Sequence, residues 1–425
     1  MENLVKKQDD KDIYKSSRLF YILEAAVEYF IATLIGSTYL AKLTTSIGIS
    51  DGVTGILTSF IALGSGFQIL ALLVANKKPI KKFVTVMHLI NQLCFTFLYI
   101  VPLFNVSKIV KSLIFIVLLL VGEIIQNVVY SPKYTWMMSL VDDRKRGSFT
   151  AKKEMVSLLS GMVVSLVMGS VIDSFEEKGE IKTAFLLCGI TVFILMAIHT
   201  LLLVLTKEKT SEPEEKKPVL EELKSAITDK NLLKLVPVFV LWNVAVYTTT
   251  PFYGTYQIKE LGFSMTFIAF LSVIYALVRS SVSIPLGKFA DKYSFLNMLN
   301  ICYSIMIAAF FLNTFFGKGF YISYYILYAI AMAGINSGTV NLIYDYTAPK
   351  KRTAALAIKN TIAGFSGFFA TLAVKPLVDR IQSNNNSFMF FENVYAQQVL
   401  SYIGMAVTAA LIVYINVVVR KMKRI

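Results

Sequence analysis

The sequence predicts an all-α membrane protein of twelve transmembrane helices, arranged as two six-helix bundles related by pseudo-symmetry. Three observations carry that prediction. Of the 425 residues, 56% are hydrophobic and only 16% are charged. The apolar residues come in runs of about 20, the length at which a helix rising ~1.5 Å per residue crosses a hydrocarbon core ~30 Å thick. Two stretches of the chain also repeat one another at a fixed spacing, described below.

The runs lie near 19–40, 53–75, 83–104, 112–140, 154–173, 183–206, 235–256, 264–287, 297–316, 321–346, 354–376 and 395–419, numbered here as spans 1 to 12. Strands of a membrane barrel would place a polar residue at every second position and leave no such runs, so helices are the expected element. Span 4 is long enough to require a tilt or a kink, and Pro132 is the natural place for one. The residues before Arg18 are polar and charged, with no apolar core or small-residue cleavage site, so span 1 is expected to be retained. The chain then divides into an N-terminal tail (1–18), an N-terminal bundle (19–206), a charged linker (207–234) containing KEKTSEPEEKKP, a C-terminal bundle (235–419) and a short tail (420–425).

The net charge of +15 follows from topology. Most of the 42 Lys and Arg residues lie in the two tails, the linker and the loops after even-numbered spans. This is the positive-inside bias, and it predicts a multi-pass plasma-membrane protein with both termini and the linker in the cytoplasm. Nucleic acid is accordingly not an expected partner. Cys94, Cys188 and Cys302 all fall within spans and show no paired spacing, which suggests neither a disulfide framework nor a metal site. His88 and His199, the only histidines, read first as packed, hydrogen-bonded residues of spans 3 and 6, with a proton relay as the second reading. No phosphate-binding glycine loop and no metal-ligand spacing is present, so no cofactor, metal or enzymatic activity is expected.

The repeat sets Arg146, Ala151, Lys153, Ser160, Gly161 and Asp173 against Arg352, Ala357, Lys359, Ser366, Gly367 and Asp379, at one offset and without a gap. A weaker match pairs Thr38 and Tyr39 with Thr255 and Tyr256, and Ala75-Asn76-Lys77 with Ala290-Asp291-Lys292. Spans 5 and 11 therefore occupy equivalent places in two halves.

With this six-plus-six layout, the long charged central loop and GKFADKY at 287–293, the chain resembles the major facilitator superfamily over essentially its whole length. GKFADKY is similar to the family's Gly-x-x-x-Asp-Arg/Lys loop signature, carried here by Gly287, Asp291 and Lys292. The usual Gly-Arg-Arg/Lys continuation is missing, and Leu72 and Asn76 stand where the first half would carry the glycine and the acid. The resemblance implies a transporter in which spans 1, 4, 7 and 10 line a central cavity, with a cytoplasmic gate around Gly287, Asp291, Lys292, Arg146 and Arg352. A loop carboxylate such as Asp291 can cap a neighbouring helix and so bias which face is closed. No subfamily is assigned. Span 5 lacks the Gly-Pro pair usual in drug/proton antiporters, span 2 lacks the aspartates of sodium-coupled sugar symporters, and EAAVEYF matches the peptide transporters' Glu-x-x-Glu-Arg-Phe only loosely.

The residues themselves support a polar cavity. Steps of three and four place Glu24 and Glu28 on one stripe of span 1, and Glu123, Gln126, Asn127 and Tyr130 on one stripe of span 4. Asn243 and Tyr247 do the same on span 7, and Ser337, Asn341 and Tyr344 on span 10. Amides and tyrosines in such stripes can be simple interhelical glue, worth about 0.6 kcal/mol each. Ionised groups cannot, because a charge at mid-bilayer costs at least ~2.5–3.5 kcal/mol. By helical rise Glu28 lies ~15 Å from the level of Arg18, Arg279 ~13.5 Å from Lys288, and Glu123 ~18 Å from Lys111. The expectation is a Glu28–Arg279 pair across the two halves, with Glu24 or Glu123 taking a coupling proton; a purely structural Glu–Arg pair is the competing reading. The function expected is proton-coupled movement of a small organic solute by a monomer, with a facilitator or a non-transporting receptor as alternatives.

Overall fold

The computed structural model describes residues 13–71, 80–142, 146–209, 219–388 and 392–424. Among these, eleven helices are long and apolar enough to cross a membrane: Asp51–Ile69, Ile80–Leu103, Lys108–Ser139, Lys152–Glu177, Ile181–Leu205, Lys230–Glu260, Met265–Tyr293, Phe295–Leu312, Lys318–Tyr346, Arg352–Ser383 and Ala396–Lys421. The twelfth is a bent pair, Lys15–Leu34 and Ser37–Ile47, which meet at 41°. These are spans 2 to 12 and span 1 of the sequence, in order. Span 4 runs as one helix through Pro132.

Local chemistry sets the span ends. Ser50, Ser107, Ser264 and Ser294 each accept a backbone N–H three residues on, at the starts of spans 2, 4, 8 and 9. Asp229 does the same at span 7, accepting from Asn231 and Leu232 at 2.9 and 3.3 Å while Lys351 holds its other oxygen. Span 1 ends at Gly48 with φ +78°, a left-handed turn that a side chain would strain.

In the first half, span 1 packs on spans 5 and 6, and span 3 on spans 4 and 6; in the second, span 7 packs on spans 11 and 12, and span 9 on spans 10 and 12. Each half has its own apolar core, one around Leu34, Tyr99, Phe115 and Phe185, the other around Leu299, Tyr303, Phe310 and Tyr324. The halves meet along span 5 against span 8 and, on the opposite flank, span 2 against span 11. These two seams are equivalent under the repeat. Leu113, Val163, Ile284 and Val413 are more than 60% exposed. In water such a surface would be a liability; it is the composition of a wall against lipid.

Candidate functional site

The halves close on the face opposite the termini. There the backbone of span 7 rests on span 1: a Cβ at Gly254 would stand 2.5 Å from the Ser37 carbonyl oxygen and 2.9 Å from the Ala41 methyl. Thr38 donates to Gln257, and Lys259 and Gln382 both reach Asp51. Asp173, on span 5, accepts the backbone N–H groups of Met265 and Thr266 at 2.8 Å each and the Thr266 hydroxyl at 2.6 Å. It caps the first turn of span 8 in the other half. Its repeat partner Asp379 lies against Gly52 in the first turn of span 2, beside Lys375. One carboxylate from each half thus meets a helix N-terminus of the other.

On the termini side of this closure lies a central cavity in three adjoining lobes of about 770, 450 and 380 Å³. Tyr130 of span 4 borders all three and is 56% exposed. No hydrogen bond or ion pair among the described residues joins spans 4 and 10, and Tyr134 and Tyr344 are exposed on them. The cavity opens toward the termini. Gln126, Asn127 and Tyr130 line it from span 4, and Asn243 and Tyr247 from span 7. Glu123 borders the smallest lobe, where no described residue pairs with its carboxylate. Span 10 presents Asn336 and Thr339 to the wall, rather than Ser337, Asn341 and Tyr344. Ser337 and Asn341 turn back onto carbonyls of their own helix, and Tyr344 stacks under Arg352 at 4.9 Å.

The charged centre departs from expectation in its partner. Glu28 pairs with Lys133 of span 4, at 2.5 Å, and not with Arg279. The same ammonium reaches Glu24 at 2.8 Å. Lys133 belongs to the same half as both glutamates, so the three come together when that half packs, whereas Arg279 stands across the largest lobe on span 8, over the ring of Tyr275. Glu24 and His199 are fully buried and Lys133 and His88 nearly so, while Glu28 keeps 20% of its side chain open to the cavity. His199 links Glu24 and Gln92, each at 3.0 Å through a different ring nitrogen. Where Gln92 donates to Nδ1, the other ring nitrogen, Nε2, is the donor to the Glu24 carboxylate. His88 lies edge-on to His199, its Nε2 3.8 Å from Glu28, and neither of its nitrogens has a hydrogen-bond partner among the described residues.

Glu28, His88 and His199 also bring ligand atoms within 4.8 Å of one another, a grouping that could hold a metal ion. No spacing signal announces it, because the three sit on spans 1, 3 and 6. In this arrangement the Lys133 ammonium already supplies the positive charge between the carboxylates.

At the expected cytoplasmic gate, Arg352 donates to the carbonyls of Tyr344 and Thr347 at the end of span 10. Asp291 is exposed and bonds to no described residue, Lys292 lies over the ring of Tyr293, and open space surrounds Gly287. The Arg146 side chain and the first-half positions Leu72 and Asn76 lie outside the described residues.

Twelve apolar spans in two equivalent halves around a polar cavity closed at one face define a polytopic membrane transporter. The profile of the Major Facilitator Superfamily matches residues 22–371, and the chain belongs to that family. It is 23% identical over 300 residues to the proton-coupled antiporter flippase LtaA of Staphylococcus epidermidis, a match covering 67% of this chain and 70% of that protein. Its fold is similar to that of a mutant of the nucleoside transporter NupG (TM-score 0.74, 12% identity, 94% of this chain and 99% of that one). It is also similar to the POT family transporter PepTSo (TM-score 0.70, 12% identity, 96% and 99%). A bacterial homologue of the lysosomal transporter Spinster, inward-facing and occupied, has a TM-score of 0.69 at 13% identity, over 96% and 97%.

Proposed function

We propose that the protein is a proton-coupled secondary transporter of the plasma membrane, moving a small organic solute by alternating access with its termini in the cytoplasm. The observation that carries this reading is the buried Glu24–Lys133–Glu28 cluster beside the cavity. Two carboxylates share the one ammonium of this buried cluster, so a proton on either of them leaves Lys133 paired with the other, and Lys153 lines the same lobe as Glu28. Glu28 is the member that touches the cavity, so it is the entry point for that proton. Once protonated, it releases Lys133 wholly to Glu24, and the polar wall of span 1 changes charge where the solute binds. The proton coupling named for the staphylococcal relative supports the same reading. Glu123, alone at the smallest lobe, is the second candidate for a proton.

The test is proton movement in pyranine-loaded proteoliposomes challenged with a panel of polar and amphipathic metabolites. At least one solute should move protons in the native protein. Glu28→Gln should keep exchange of that solute and lose pH-driven accumulation. Solute exchange that never moves protons would make the protein a facilitator.

A further inference from the structure

Lys359 is a charge in the cavity that the protein itself leaves unanswered. It lines the 450 Å³ lobe, and no carboxylate or carbonyl among the described residues accepts from its ammonium, which lies over the ring of Phe239 at 5.9 Å. Its repeat partner Lys153 makes the same kind of contact in the first half, over Tyr21 at 5.4 Å. The two lysines differ in what faces them. Lys153 shares its lobe with Glu28. Carried along span 7 from the match of Thr38 with Thr255, the positions of Glu24 and Glu28 fall on Leu241 and Ala245. Spans 7 to 12 carry acids only near their ends, at Glu260, Asp291, Asp345 and Asp379. The second half keeps the cation and has lost its counter-charges.

An ammonium removed from bulk water without a partner is costly, and a cavity open on one side allows the partner to come from outside. Around Lys359 the wall offers amides of Asn243, Asn336 and Asn360, and the rings of Trp242 and Tyr247. Amides supply further donors to an oxyanion, and the rings take an apolar or ring-bearing body. We propose that Lys359 is the subsite for an anionic group, a carboxylate or a phosphate, on the solute carried in this cavity. This assignment rests on the transport reading above and narrows it to acidic amphipathic solutes.

Trp242, one of two tryptophans, lines the same lobe and reports occupancy, whereas Trp136 is buried elsewhere. The full chain in phosphatidylcholine nanodiscs is titrated with 4-nitrobenzoate, 4-nitrophenyl phosphate, 4-nitrobenzyl alcohol and 4-nitrobenzylamine, which share one quenching ring and differ in charge. Saturable quenching is expected from an anion, at least about tenfold tighter than from the alcohol or the amine, as a charge-assisted hydrogen bond warrants. Lys359→Gln should weaken it by a similar factor, and Lys359→Arg should retain it. Lys359→Arg also shows that a loss in the glutamine variant is not a folding defect. Equal binding of the alcohol, undiminished binding in Lys359→Gln, or no saturable quenching by either anion would overturn the proposal. Phosphatidylglycerol added to the nanodisc separates two sources of the same chemistry: competition identifies a lipid headgroup, and its absence a soluble solute. Anion binding without proton-coupled flux would keep the subsite and remove the transport reading, while coupled flux of a neutral solute would do the reverse.

Discussion

At the scale of single residues, the Glu24–Lys133–Glu28 cluster dominates the first half, because each member is affordable only in the presence of the others. Lys133→Gln leaves two carboxylates together out of water, and such uncompensated buried charge costs about 3–5 kcal/mol. The double change Glu24→Gln with Lys133→Gln restores the original net charge of the cluster and should recover much of that loss. Expression level and thermal unfolding of the purified variants check this; a Lys133→Gln protein as stable as the native one would mean the cluster does not depend on the ammonium. The glutamates were legible in the sequence, since an acid in an apolar run demands a partner. The partner was not. Counting residues from the membrane edge fixes depth along the bilayer normal and says nothing of direction around it, so depth alone pointed to Arg279 across the cavity. Lys133 did carry a signal, standing three residues beyond Tyr130 on the polar stripe of span 4.

Elements show how a small error in phase becomes a large one in space. One residue along a helix turns a side chain by about 100°, and the stripe expected on span 10 began one position from Asn336, which faces the cavity. The closed face, by contrast, is made where helices touch without side chains between them, or where a carboxylate meets a helix end. Asp173 and Asp379 appeared in the sequence as repeat partners, but the cap that Asp173 makes and the contact of Asp379 with Gly52 join opposite halves, and contacts at that sequence separation leave no periodic trace. If these contacts hold the face shut, Gly254→Val should force span 7 off span 1. Asp173→Asn should weaken the cap on span 8 by about 1 kcal/mol. Both should shift the population toward a state open at that face, read as longer spin-label distances between the ends of spans 5 and 8 that meet there. Unchanged distance distributions in both variants would mean that the closure is held elsewhere.

For the whole molecule, the twelve-span architecture was legible, because hydrocarbon allows no backbone hydrogen bond to go unmade and so demands long uninterrupted helices. The repeat added the two-half symmetry, and the geometry adds that the two halves are unequal in charge: a carboxylate-rich cluster in one, and in the other Lys359 and Arg279 with no acid on the cavity wall among the described residues. That inequality gives alternating access a direction only if the molecule sits one way in the bilayer. The distribution of Lys and Arg predicts which way, since basic loops are retained on the cytoplasmic side. Lys209, in the linker after span 6, and Lys178, between spans 5 and 6, lie at opposite ends of the bundle and are both exposed. Cysteines placed there test the prediction without removing the native thiols, because Cys188 and Cys302 are buried and Cys94 is partly so within span 3. In intact cells a membrane-impermeant maleimide should label the cysteine at 178 and spare the one at 209 until the membrane is opened. The reverse pattern would place the cavity mouth of this conformation on the outside, and the proton entering at Glu28 would then come from the medium.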